Sequence, residues 1–161
     1  MSDGVIVGTT GDNGTGYGYG GQVKSNSGLV TEFLYVPADT EKGEVLVKSF
    51  DGDEETNPKA VAVATSALTN NKIVVASKDQ GATAGFQDCI VKGYCEALVD
   101  GTTDVAKDDF LEVINGADGA VKDNATRSAN SFAIACEAQA TDSDVLTDVY
   151  VLDNDVVIAS S

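Results

Sequence analysis

The sequence predicts an all-β fold, a small β-barrel or β-tulip-like domain behind a glycine-rich N-terminal arm. First, the apolar content of 42% comes from Val and Ala more than from Leu or aromatic residues, and β-branched side chains favour pleated surfaces. Second, about nine short β-type runs recur at roughly ten-residue spacing, the pattern of a barrel or sandwich that closes to protect its strand edges. Third, Asp-Gly and Asn-Gly pairs punctuate these runs and supply the positive φ angles that tight turns require.

Taken in order, residues 1–28 read as the arm. Gly11 to Gly21, GDNGTGYGYGG, has too little apolar surface to offset the backbone entropy of ordering it alone. Gly16, Gly18 and Gly21 match GxGxxG, but no strand leads directly in and no helical apolar period follows, so the match does not carry a nucleotide site. Upstream, Val5-Ile6-Val7 reads either as an apolar hook on a glycine hinge or as the first barrel strand with the glycines as a loop. Tyr17 and Tyr19 add aromatic groups that can anchor an interface at low entropy cost.

Residues 29–161 read as the barrel, with 29–88 an elaboration of it or an outward-facing insertion. Leu29 to Val36 and Glu44 to Phe50, divided by a turn-forming cluster, read as a hairpin or as consecutive strands. Asp51 to Glu55 forms an acidic loop that ends at Asn57-Pro58, where proline disfavours helix at the residue before it. Ala60 to Ala64 and Lys72 to Ala76 follow as strands. Cys89 to Val99 alternates small or apolar odd positions with mixed even ones, which predicts a strand with its cysteine face inward. Asp109 to Asn115, Phe132 to Ala138, Asp148 to Leu152 and Val156 to Ala159 complete the set, with a tight turn at Asn115 to Gly119 and room for a short helix at Asp123 to Asn130 or between Asp79 and Asp88.

Charge and composition exclude several functions. Asp and Glu number 26 against 10 Lys and Arg, a formal charge of −16. Such a surface repels phosphate backbones, so no nucleic-acid partner is expected. There is no apolar run of membrane-spanning length and no signal-peptide pattern after Met1, so the expected setting is a cytoplasm without membrane attachment. Cys89, Cys95 and Cys136 are an odd count without CxxC spacing, and reduced, buried thiols are expected.

No constellation of residues predicts an enzyme. The chain has no histidine, which removes His-based triads and the common zinc sites. Glu96 with Glu137, and Asp104 with Asp108 and Asp109, are the arithmetically available carboxylate groups, but a sugar cleft would want aromatic walls and the chain has no tryptophan. Asp51-Gly52-Asp53 is a fragment of a calcium loop without its closing glutamate. No catalytic, cofactor-binding or metal residue is assigned.

The stretch VKGYCEALVDGTTDVAKDDFLEVINGADGAVKD…SFAIACEAQATDSDVLTDVYVL resembles the small capsid decoration, or cement, proteins of tailed bacteriophages. A strand ends in a turn at Leu98 to Gly101, leads to the strand Asp109 to Val113, and is followed by Ala133-Ile134-Ala135-Cys136-Glu137-Ala138 and a final Val/Leu strand. The resemblance implies a β-barrel or β-tulip subunit without catalytic residues or cofactors. It implies a homotrimer on the outer surface of the head, bound to the major capsid protein and stabilising the expanded shell. On this reading Val5, Ile6, Val7, Tyr17 and Tyr19 are the expected capsid contacts. The alternative is an acidic, cation-binding adhesion or tail-associated module.

Overall fold

The structure, a computed structural model, describes residues 22–24, 28–50, 55–62, 73–100, 104–113, 121–124, 126–127, 131–140 and 144–152. These hold ten strands and no helix: β1 (Gln22–Lys24), β2 (Val30–Val36), β3 (Val45–Ser49), β4 (Lys59–Ala62), β5 (Ile73–Ala76), β6 (Gly85–Val99), β7 (Phe110–Val113), β8 (Val121–Asn124), β9 (Ser131–Ala135) and β10 (Val145–Val151). The fold is all-β and closed, as the strand pattern predicts.

Closure happens twice. β2, β4, β3, β5 and β6 pair in that order and return to β2, which makes a first five-stranded ring. β6, β8, β7, β9 and β10 pair in that order and return to β6 as a second. β6, 15 residues long, is the last strand of one ring and the first of the other. Each ring has one parallel seam, Tyr35 opposite Lys59 in the first and Val99 opposite Val121 in the second. All other pairings are antiparallel.

The second ring repeats the connectivity of the first. Its strands follow when β2 through β6 are each advanced to β6 through β10. The turns entering β3 and β7 repeat it in hydrogen bonds. The Gly43 N–H donates to the Ala76 carbonyl at 2.9 Å, and the Ala76 N–H to the Glu44 carbonyl at 2.9 Å. The Asp108 N–H likewise donates to the Ala135 carbonyl at 2.8 Å, and the Ala135 N–H to the Asp109 carbonyl at 2.9 Å. The Glu44 carboxylate caps the Glu41 N–H as the Asp109 carboxylate caps the Ala106 N–H.

Alternation sorts the side chains. In β2, Val30, Glu32, Leu34 and Val36 are buried and the residues between them are partly exposed. Leu34, Val36, Leu46, Val74, Ala76 and Cys89 form the core of the first ring. A larger cluster joins Val45, Val47, Ile73, Val75 and Ile90, on the opposite parity of the same strands, to Cys95, Ala97, Val99, Leu111, Ala135 and Val149 of the second ring. β5 is therefore buried on both faces, IVVA with every side chain covered.

Two glycines make the ring junction. At Gly93, φ +107°, a Cβ would come 2.9 Å from Leu29 Cα. At Gly43, φ +83°, a Cβ would run into Leu146 Cδ2 and come 3.1 Å from Leu98 N. The Leu98 N–H donates to the Gly43 carbonyl at 2.8 Å, and Lys42 pairs with Glu96 beside it. A side chain at Gly43 would hold the rings apart, and one at Gly93 would push the chain entering β2 away from β6.

The strands add detail that the sequence pattern left open. Leu29 to Val36 and Glu44 to Phe50 are consecutive strands but not a hairpin, since β3 lies between β4 and β5. Neither proposed helix forms among the described residues: Gly85 to Asp88 opens β6, and Asp123 and Asn124 end β8, a strand the sequence pattern did not reveal. Gln22–Lys24, at the end of the segment read as the arm, pairs with Val30 to Glu32.

Candidate interaction surface

Among the described residues no group of three or more Cys, Asp or Glu side chains is placed to hold a metal. Three of the carboxylates singled out from sequence, Glu96, Glu137 and Asp109, have structural partners. Glu96 is paired with Lys42. Glu137 Oε1 accepts the Asp148 N–H at 3.0 Å. Asp109 caps its own turn, and Asp108 occupies the left-handed position at φ 76°. Cys89, Cys95 and Cys136 are free thiols. Burial pushes the first two up to about 12, which leaves almost no thiolate near neutrality.

Among the described residues the most deeply buried charge lies in the first ring. Glu32, 3% exposed, receives the Lys48 ammonium, which also sits 5.3 Å from the Phe50 ring centroid. Gln87 is buried beside them on the inward face of β6, its Nε2 donating to Gln80 Oε1 at 3.2 Å. These groups are covered and closed off from any substrate, so they are read as part of the interior.

The exterior offers a different arrangement. Tyr94 on β6 lies opposite Tyr150 on β10, Tyr150 opposite Ile134 on β9, and Ile134 opposite Phe110 on β7. One register line thus carries four large apolar side chains across four strands, all on the parity that faces away from the second core. Tyr94 is 54% exposed and Tyr150 39%. The Tyr94 hydroxyl donates to the Asp148 carboxylate, a bond that, with lesser desolvation, lifts the phenol to about 12. Asp148, Asp108, Lys107 and Glu137 gather around the neighbouring Cys136 thiol, so negative charge predominates on that side of the row.

The first ring shows what covers such a row. In the same registers stand Thr31, Ile90, Val75 and Val45. Ile90, Val75 and Val45 are buried in the cluster shared with the second ring. A smaller outward aromatic group, Phe33, Phe86 and Tyr35, packs within itself on the first ring, with centroids 5.3 Å and 5.2 Å apart.

The expected contacts Val5, Ile6, Val7, Tyr17 and Tyr19 lie outside the described residues. Sequence reading passed over Tyr94 as one of several mixed even positions in its strand, and Tyr150 as one residue of the strand Asp148 to Leu152. Period-two alternation placed Tyr94 outward, but only strand register brings it beside Tyr150.

No protein-family model matches the chain, and no curated protein does. Among solved structures, the fold is similar to that of the head fiber gp8.5 N base in bacteriophage phi29, with a TM-score of 0.52 and 17% sequence identity. The match covers 78% of this chain and 95% of that one.

Proposed function

We propose that this protein is a structural component of a phage head, a decoration or cement protein that binds the outside of the capsid shell without enzymatic activity. The observation that carries the reading is the likeness of the fold to a head-fibre base along most of both chains. The sequence resemblance to decoration proteins, drawn from other residues and patterns, points the same way. The described carboxylates and thiols engaged in turns, ion pairs and cores fit a scaffold better than a catalyst.

On this reading the protein is a homotrimer that grips neighbouring shell subunits at once, so that each contact after the first gains effective concentration and dissociation becomes slow. The test is to mix purified protein with expanded, empty shells of the phage that encodes it, sediment the shells and quantify bound protein. Saturable binding, and genome release at a higher temperature when the protein is present on virions, are the expected results. Absence of co-sedimentation overturns the head reading. Light scattering gives the mass of the free protein, and a monomer overturns the trimer.

A further inference from the structure

We propose that the outward row Tyr94, Tyr150, Ile134 and Phe110 of the second ring is the surface that docks on the shell, and that the shell meets it with an apolar depression rimmed by lysine and arginine. This rests on the head-component reading above.

Repetition within the chain is the first argument. Both rings place a row of side chains at the same registers on the same parity. In the first ring Ile90, Val75 and Val45 are buried against the second ring. In the second ring Ile134 and Phe110 are half-buried, and Tyr94 and Tyr150 stay open. Ile90, Val75 and Val45, which pack within the protein, correspond to Tyr150, Ile134 and Phe110, and Thr31 to Tyr94, so the second row carries three aromatic rings where the first has none. Tyrosine joins a large apolar body to a polar tip at the cost of few rotors, the composition of interface anchors. The bond from the Tyr94 hydroxyl to Asp148 fixes that ring before any partner arrives, which lowers the entropy lost on docking.

Charge and shape decide the occupant. Asp148, Asp108 and Glu137 lie with Lys107 around Cys136 beside the row, and Lys42, the other cation near it, is already paired with Glu96 opposite Asp148. A second copy of the chain brings 26 acidic groups and 10 basic ones, so the rim would meet like charge, whereas a basic rim on a partner is attracted. A further ring stacked as the second stacks on the first is also disfavoured. That packing needs a bare backbone at Gly43, and the equivalent residue here is the exposed Asp108.

Binding to purified expanded shells tests this with the whole protein. The double variant Tyr94→Ala/Tyr150→Ala is expected to bind about thirtyfold more weakly or worse, the loss typical of a central anchor. Glu137→Lys, a surface change that leaves the row intact, should also weaken binding, and added salt should weaken that of the wild type. Phe50→Ala, on the other ring and 71% exposed, should bind as wild type does. Unchanged binding by the tyrosine variant with normal circular dichroism, or binding indifferent to salt, overturns the proposal. A tyrosine variant with an altered oligomeric state makes the row a self-interface and overturns it as well. Wild-type protein that ignores shells defeats the head reading itself, so the two failures are told apart.

Discussion

Where the first ring buries the Glu32–Lys48 ion pair, the second holds Cys95 and Val113. Register makes the comparison residue by residue: Glu32 lies opposite Cys89, and Cys95 opposite Val149, with Ala76 and Ala135 next along the two rows. Buried Gln87, opposite Leu34, has Thr147, opposite Ala97, as its counterpart. One topology therefore tolerates a polar interior and an apolar one. The backbone ladder is closed either way, and the core asks only that inward groups fill space and leave no charge alone. The exteriors differ in the opposite sense: the first ring buries its outer row in the molecule and the second exposes aromatic rings.

Breaking the ion pair tests the interiors most severely. Lys48→Met leaves Glu32 buried without its cation and should destabilise by about 3 to 5 kcal/mol in urea unfolding. Glu32→Cys with Lys48→Val, which installs the second ring's residues, should recover most of that loss or all of it, because an apolar replacement of a buried pair is often neutral. If the double variant is as unstable as the single one, the two interiors are not interchangeable.

Next in size is the junction. Gly43→Ala should cost about 3 kcal/mol, since the new Cβ meets Leu146 and Leu98 and adopts φ +83°. Asp108→Gly, which puts the first ring's residue into the second, should stay within about 0.5 kcal/mol of wild type, as surface changes usually do. Equal effects would show that the rings do not differ at this turn.

Alkaline pH probes one thiol per ring. Cys89 and Cys95 are raised from 9.0 to about 12, so folded protein keeps protons that the unfolded chain releases. Their contribution is fully present below about pH 9 and is lost as pH rises from there towards about 12, by about 1.4 kcal/mol per unit for each thiol. Urea midpoints measured across that window should fall, and Cys89→Ala should show a shallower fall. An identical slope would mean that the first ring's thiol does not share in the effect.

The smallest expected effect is on the exposed row. Tyr94→Ala should change stability by no more than about 0.5 kcal/mol, in contrast to about 1 kcal/mol for Ile90→Val in the covered row of the first ring. A large loss at Tyr94 would mean that the row is part of the core.

The sequence by itself determined that this chain is all-β, which residues of Cys89 to Val99 turn inward, and that histidine-dependent chemistry is absent. Alternation and turn chemistry are local, and they survive in any tertiary setting that keeps one face wet. The duplication stayed hidden, because matching backbones carry unlike side chains: Gly43 and Asp108, Glu32 and Cys95, Ile90 and Tyr150. Lys42 with Lys107, Leu46 with Leu111 and Gln80 with Gln139 agree, but too sparsely to read as a repeat. Strand order was equally out of reach, since β3 joins β4 and β5 by pairings that depend on closing the ring. Only the tertiary structure decided which outward row is covered. That depends on where the second ring comes to rest, on Gly43 and Gly93, and no periodicity within a strand encodes it.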